Sequence, residues 1–161
     1  MDSTGWHARG ACVPIKRGTD MKYLSIIAIA LLTISCAKQA TPVDLANACA
    51  ADNEKKYLST VGYLNDGGSI YCSNTGGRMD CSLDLVASPG GPRVLGAEIE
   101  EGNGSSEIEK FEGSYKKDDL KIHDANGGFV KIGDKVRITG EMSVVPGSTC
   151  FMEIDKIEKA Q

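Results

Sequence analysis

A strict alternation of apolar and polar residues near the end of the chain is its clearest structural pattern. Over residues 136–144, VRITGEMSV, the apolar side comprises Val136, Ile138, Gly140, Met142 and Val144. A period of two is typical of a β-strand with one buried and one solvent-facing side. Pro146 and Gly147 favour a turn, because proline presets φ and glycine accepts positive φ. A second alternating strand completes a predicted hairpin, with the apolar positions Cys150, Met152 and Ile154.

An earlier hairpin is predicted between residues 69 and 87. Gly76-Gly77 suits a two-residue turn, and counting outward from this turn places Cys72 opposite Cys81. In that register the two cysteines form a non-hydrogen-bonded pair, in which cross-strand side chains lie closest. The same register predicts one buried side, comprising Ile70, Cys72, Cys81, Leu83 and Leu85.

Before the hairpins, residues 41–52 (TPVDLANACAAD) predict a short helix. Thr41 is the predicted N-cap, and Pro42 suits the first helical position because its missing N–H would have no partner there. Leu45 and Cys49 are four residues apart and therefore share one face. We expect that face to dock on the sheet.

The remaining β elements follow from β-branched and aromatic runs between glycine-rich turns. Residues 55–64 form the predicted first strand, in which Gly62 marks a bulge or a bend. Residues 88–117 predict one strand at 94–99 within a long acidic surface excursion, for which slack is a commoner explanation than a binding loop. A further predicted hairpin has its strands at 120–123 and 129–132.

Residues 21–36, MKYLSIIAIALLTISC, have the anatomy of an export signal. A basic start at Lys22 precedes an apolar run that is too short to span a bilayer as a permanent helix. The run ends at Ser35-Cys36 and resembles a bacterial lipoprotein signal, although Thr33 replaces the leucine usual in that motif. The resemblance implies that Cys36 becomes the acylated first residue of a membrane-anchored mature protein. The alternative is an ordinary secretory signal with a coincidental cysteine.

This signal-like segment sets the predicted boundaries of the chain. Residues 1–20 fit no signal anatomy, so we interpret Met21 as the start and residues 1–20 as an upstream extension. The alternative is a long basic n-region that includes these residues. Residues 37–41 then form a short tether, and residues 42–160 form the folded domain. The lipoprotein resemblance implies a bacterial envelope protein facing the periplasm, and Ala37, which is not the aspartate of inner-membrane retention signals, favours the outer membrane.

Four cysteines remain in the predicted mature domain: Cys49, Cys72, Cys81 and Cys150. Exported proteins meet an oxidising environment, so disulfides are the first interpretation. Zinc sites favour closely spaced cysteines, and no Cys-x-x-Cys occurs in this chain. The hairpin register predicts a Cys72–Cys81 bond. Elimination then predicts Cys49–Cys150, which would join the first element of the domain to the last.

Composition argues against two classes of function. From Ala37 onward the chain has 14 Lys and Arg against 20 Asp and Glu, a net charge of −6. Such a surface repels nucleic-acid phosphates unless a local basic patch compensates, so nucleic acid is an unfavoured partner. His123 is the one histidine of this segment and is predicted to be a solvated turn residue, so Cys-His or Ser-His catalysis lacks a base. We expect no catalytic residue, cofactor or metal, and the irregularly spaced glutamates of 98–112 predict a solvated face.

A short helix, five or six strands and a long connection after the third strand predict a small closed or partly open barrel. Within it, GDKVRITGE at 133–141, EIDKIEK at 153–159 and VGYL at 61–64 resemble the periplasmic bacterial OB-fold family, in which a helix precedes the barrel. The resemblance implies an all-β fold with one short N-terminal helix, a small OB-like barrel. The cysteine-bearing hairpin and the glycine- and glutamate-rich insertion depart from that family. OB folds host many functions, so the resemblance carries shape and not chemistry.

These patterns favour a non-catalytic binding module that uses the barrel face. Tyr63, Tyr71 and Arg78 are the candidate residues for binding an unknown protein, peptide or glycan. The alternative places Tyr63 partly in the core and makes Tyr71 a cross-strand partner. A second hypothesis is a protein-interaction or inhibitor lipoprotein, because Ile70-Tyr71-Cys72 is similar to the Tyr-x-Cys segment of small lipid-anchored β-barrels that inhibit lysozyme.

Overall fold

A computed structural model of the chain describes residues 38–75, 77–110, 116–147 and 150–161, without the side chains of Thr75 and Arg78. The signal-like segment and Cys36 lie outside these residues. The strands are β1 Thr41–Pro42, β2 Tyr57–Asn65, β3 Tyr71–Thr75, β4 Arg78–Val86, β5 Arg93–Glu100, β6 Ile122–His123, β7 Phe129–Val130, β8 Lys135–Val144 and β9 Cys150–Lys159. The helix α1 spans Leu45–Ala48, and two short 3-10 turns span Ala51–Asn53 and Lys117–Asp119.

Five strands close into a barrel in the order β2-β8-β9-β5-β4, with β4 pairing again with β2. Neighbouring barrel strands are antiparallel, except that β9 runs parallel to β5. The strand β3 extends the sheet beyond β4, β1 adds two residues beside β2, and β6 pairs with β7 as a separate small hairpin. The prediction of a small all-β, OB-like barrel is therefore confirmed.

The core is filled by the alternate positions that the sequence pattern predicted. In β8 every second residue from Val136 to Val144 is buried, as the period of two requires. In β9 the predicted alternation holds as far as Ile154, and then a bulge intervenes. Gly140 pairs with Ile154, but the preceding Thr139 pairs with Lys156, so one residue of β9 is left over. The shift turns Ile157 into the core, where it is fully buried.

Glycine at position 140 is required by this bulge. An added Cβ at Gly140 would overlap the main-chain carbonyl oxygen of Glu153 on β9. A clash with backbone cannot be relieved by a side-chain rotation, so the two strands would have to separate. Gly140 therefore marks the point of closest contact between β8 and β9.

The predicted helix over residues 41–52 is wrong in extent. Only Leu45–Ala48 is helical, and Thr41–Pro42 instead pairs in parallel with β2. The cause is tertiary, because this segment pairs with β2, and the backbone N–H of Val43 donates to the carbonyl oxygen of Ser59 at 2.9 Å. Thr41 is not the N-cap; Asp44 holds that position, without a side-chain hydrogen bond. The predicted docking face is retained, since Leu45 is buried in the core.

Of the two predictions for Gly62, a bulge or a bend, the bulge is wrong. The pairing of β2 with β8 continues without interruption through Gly62 and Val136. A Cβ at Gly62 would lie 2.7 Å from Cγ of Leu85 and 2.9 Å from Cδ2 of Leu45. The glycine thus makes room on the inner side of β2 for the side chain by which α1 docks.

The glycine-rich segment after the third barrel strand is more ordered than predicted. The strand at 94–99 is confirmed and slightly longer, as β5. Beyond it Ile108 is fully buried and bridges Glu101 and Ile122. Ser106 is also buried, and its Oγ accepts a hydrogen bond from the backbone N–H of Ile157 at 3.1 Å. Residues 101–110 are therefore packed against the barrel, and the interpretation of this part as surface slack was wrong.

Both predicted disulfides are present. Cys72 pairs with Cys81 across the β3–β4 hairpin, with Cα atoms 4.0 Å apart, in the register counted from the turn. Cys49, just after α1, bonds to Cys150 at the start of β9, with Cα atoms 5.7 Å apart. Loop-closure entropy gives the longer link about 4.7 kcal/mol of stabilisation and the shorter one about 2.7 kcal/mol.

Across the described ranges, no helix has the length and apolar character needed to cross a bilayer.

Replacing Gly140 by alanine should destabilise the barrel by about 3 kcal/mol, because the new methyl group meets the backbone of β9. Ser143 lies on the outer side of the same strand, and Ser143→Ala should stay within about 0.5 kcal/mol of the parent. Urea unfolding of the mature protein measures both changes. Equal stabilities for the two variants would contradict the close β8–β9 contact.

Candidate functional site

A groove crosses the outer surface of β2 and β8. It consists of two adjoining cavities of about 530 and 240 Å³, which share Val61 and Arg137 as a common wall. These two residues lie directly opposite each other in the β2–β8 pairing, and Arg137 in turn faces Glu158 of β9. The groove therefore runs across three neighbouring strands.

The larger cavity is basic. It is lined by Lys135, Arg137 and Lys159, together with Glu158, Asn126 and the last two residues of the sequence. Two of the cations have partners: Lys135 Nζ donates to the carbonyl oxygen of Gln161 at 2.9 Å, and Lys159 Nζ lies 3.1 Å from a carboxylate oxygen of Asp134. Arg137 is exposed, and its guanidinium makes no hydrogen bond or ion pair with any described residue. It is the groove cation available to a ligand.

Carboxylates in the groove offset this charge only in part. Glu158 lies opposite Arg137, but its carboxylate is 2.9 Å from Lys156 Nζ. Asp44 lines the far end of the smaller cavity, which is otherwise bounded by Pro42, Val43, Leu45, Ser59, Thr60 and Val61. The groove thus combines a basic compartment with a more apolar one.

Another outer surface of the barrel is acidic. Its carboxylates come from β4, β5 and the first half of β9 and surround a cavity of about 50 Å³: Asp80, Glu98, Glu100, Glu153 and Asp155. The second and third barrel strands form the usual nucleic-acid surface of OB folds, and those strands are β4 and β5 here. Within the described residues, no group of three or more His, Cys, Asp or Glu is placed to hold a metal ion.

The tether enters the barrel beside Tyr57, where Lys38 forms a 2.7 Å ion pair with Glu141. Lys38 Nζ also lies 4.6 Å from the centre of the Tyr57 ring. The hydrogen bond between the two charged groups raises the pKa of Lys38 and lowers that of Glu141. Burial raises the pKa of Tyr57, and the neighbouring Asp155 carboxylate raises it further.

The structure does not bring the predicted ligand-binding residues together. Tyr63 alternates with the buried positions of β2 and lies opposite Lys135, at the edge of the groove. Tyr71 lies on β3 and is 71% exposed. Tyr71 faces Ser82 and Tyr63 faces Val86, which are four positions apart on β4, or roughly 13 Å along the strand. Arg78 begins β4, but its side chain lies outside the description.

His123 is not the solvated turn residue that was predicted. It lies in β6, with Nε2 3.0 Å from Glu109 Oε1 and its ring centre 4.8 Å from that of Phe129. Lys121 Nζ reaches the other oxygen of the same carboxylate at 3.1 Å. The hydrogen bond from Lys121, assisted by His123, holds the pKa of Glu109 below its ordinary value. These contacts tie residues 107–110 to β6.

The predicted solvated face of glutamates is also corrected in part. Glu109 has the two partners just described, and Glu107 accepts a hydrogen bond from the backbone N–H of Gly104 at 2.5 Å. Both side chains are only partly exposed. Their irregular spacing in sequence reflects a segment that folds back on itself, in which both carboxylates accept hydrogen bonds from other residues of the chain.

The groove residues were missed from sequence. Lys135 and Arg137 occupy alternate polar positions of the predicted strand, so the sequence alone could have predicted a basic outer side of β8. It could not have predicted that Lys159 lies beside them, because that depends on the Val136–Lys159 pairing beyond the β9 bulge. In the sequence, nothing distinguishes Val61 from the other apolar residues of the predicted strand.

Comparison of the chain with family models, curated proteins and solved structures gives no match. The groove and the signal-like segment are therefore the features of this chain that bear on its function.

Proposed function

We propose that this chain is a lipid-anchored protein of the bacterial envelope whose OB-like barrel is a non-catalytic binding module. The observation that supports binding is the groove across β2 and β8, with the unpaired guanidinium of Arg137 between its two cavities. Arginine presents several donors in a fixed plane and suits carboxylate or phosphate recognition. A site of this shape can hold an extended ligand without any chemical step.

The groove residues also favour binding over catalysis. The described lining of the groove contains no histidine or cysteine, and neither Ser59 nor Thr60 is hydrogen-bonded to Asp44, the carboxylate of the same cavity. Nucleophilic catalysis needs a nucleophile and a base within hydrogen-bond distance of each other. Nucleic acid remains the less favoured ligand, because β4 and β5 present carboxylates where OB folds usually contact phosphates.

Anchoring is supported by the signal-like segment that ends at Cys36 and by the short tether that follows it. The described chain starts at Lys38, which already contacts the barrel through Glu141. The folded domain would therefore lie close to the membrane to which Cys36 attaches it. An outer-membrane position facing the periplasm agrees with Ala37 after the cysteine.

Acylation at Cys36 is tested by metabolic labelling with a fatty acid in the bacterial cell. The parent chain should incorporate the label, and Cys36→Ala should lose it, because the thiol is the attachment point. Ser35→Ala is the matched control, since a small residue is kept before the cysteine, and it should keep the label. A fully labelled Cys36→Ala chain would contradict the anchor.

Ligand binding in the groove is tested by thermal unfolding of the mature acylated protein in neutral detergent. Envelope glycan fragments, short peptides and oligonucleotides form the panel. A ligand at one hundred times its Kd stabilises the folded state by about 2.7 kcal/mol, or about 10 °C in Tm for a domain of this size. Val61→Trp should abolish the shift by filling the groove, whereas Ser82→Trp on β4 should not. A shift that survives Val61→Trp would refute the groove as the site.

A second candidate function is protein interaction or enzyme inhibition, favoured by Tyr71. This aromatic side chain is exposed on the edge strand β3, which the Cys72–Cys81 bond fastens to β4. A rigid, exposed tyrosine is a common anchor at protein interfaces. Inhibition of lysozyme by the purified protein, lost in Tyr71→Ser and kept in Val61→Trp, would select this candidate over the first.

A further inference from the structure

We propose that the groove is a phosphate-binding site in which Arg137 makes the principal contact. The inference rests on the proposed binding function and names the chemical class of its ligand. That ligand carries a phosphate group in the basic compartment and a more apolar portion in the adjoining compartment. The phosphate of a membrane lipid head group and a soluble phosphate share this chemistry, and the experiment below separates them.

Three cations converge on the basic compartment from two strands. Lys135 and Arg137 are two residues apart on the same side of β8, about 7 Å along the strand. Lys159 comes from β9, where it pairs with Val136, the residue between them. A phosphate has more acceptor oxygens than a carboxylate and can accept from several donors at once. Such a triangle of cations suits it better than a single carboxylate.

The charge arrangement leaves Arg137 as the main donor. Lys135 Nζ already donates a hydrogen bond to the main-chain oxygen of Gln161, and Lys159 is paired with the carboxylate of Asp134. The nearest carboxylate, Glu158, is compensated by Lys156. Arg137 alone among the three has no partner within the described chain, so a ligand phosphate would not have to displace an existing ion pair from it.

The second compartment suits the uncharged portion of the ligand. It begins at the Val61–Arg137 wall and is bounded by the aliphatic groups of Pro42, Val43 and Leu45, with Asp44, Ser59 and Thr60 as its polar residues. The three aliphatic residues lie in β1, in α1 and in the short link between them, next to the tether. A ligand that spans the wall therefore has its phosphate on one side of Arg137 and its apolar part on the side of the tether.

The position of the tether brings a membrane within reach of this site. Lys38 contacts Glu141, which is four residues from Arg137 on β8, or roughly 13 Å. Cys36 precedes Lys38 by two residues, which adds at most about 7 Å. If Cys36 is acylated, the strand distance, the two side chains of the Lys38–Glu141 pair and two residues of chain together place lipid head groups within about 30 Å of the groove. The head group of an anionic phospholipid would thus be a phosphate close to the groove.

The test is a nuclear magnetic resonance titration of the mature acylated protein in neutral detergent micelles. One arm adds inorganic phosphate, a second dopes the micelles with phosphatidylglycerol, and a third dopes them with phosphatidylcholine as a lipid of no net charge. The Arg137 Nε–H signal and the Val61 amide should shift saturably in at least one of the first two arms. Arg137→Gln should weaken the response of the Val61 amide about tenfold or more, because hydrogen bonds to charged groups are lost.

Arg93→Gln is the matched control, since Arg93 is an exposed arginine of β5 that pairs with Asp84 outside the groove. It should leave the titration unchanged. A response to phosphatidylglycerol identifies a lipid head group as the source, and a response to inorganic phosphate alone identifies a soluble phosphate.

No saturable shift in the first two arms, a phosphatidylcholine response of equal size, or an unchanged titration in Arg137→Gln would overturn the proposal. A ligand whose Tm shift needs Val61 but not Arg137 would leave the groove function intact and refute only the phosphate assignment.

Discussion

The pairing of β8 with β9 is the contact on which the rest of this structure depends. At the start of β9 this pairing leaves the other edge of β9 free to pair with β5, which closes the barrel. The pairing with β8 then continues past the bulge opposite Gly140. Beyond the bulge β9 no longer pairs with β5, and other groups cover its free edge. Ser106 accepts the N–H of Ile157, and the Ile157 carbonyl accepts from Ala125. A strand edge that would otherwise invite association is thereby satisfied within the chain.

The same pairing separates the charges of the outer surface. Up to and including the bulge, β9 presents Glu153 and Asp155 beside the acidic strands β4 and β5. After it, β9 presents Lys159 beside the basic start of β8. A chain with a net negative charge can therefore hold a local basic groove. This local patch, and not the overall composition, is what decides the class of ligand that we propose.

Local signals in the sequence predicted the local structure well. The Gly76-Gly77 turn was enough to place Cys72 against Cys81, and alternation was enough to identify the buried side of β8. Predictions failed where distant contacts decide. The glycine at position 62 makes room for a leucine of α1. The burial of Ile108 depends on its bridges to neighbouring segments. The groove depends on a strand order that brings β2 beside β8. The Thr41 error has the same origin, because β1 pairs with β2, a segment more than fifteen residues away in sequence.

The β9 bulge can be tested by methyl contacts measured with nuclear Overhauser spectroscopy. Ile138 and Ile157 are cross-strand partners in the structure, and both are fully buried. Strong Overhauser contacts between their methyl groups, with the side chain of Lys156 accessible to a soluble relaxation agent, are the predicted result. An uninterrupted alternation would instead turn Lys156 inward and Ile157 to solvent. Absence of the methyl contacts, with Ile157 broadened by the agent, would contradict the account.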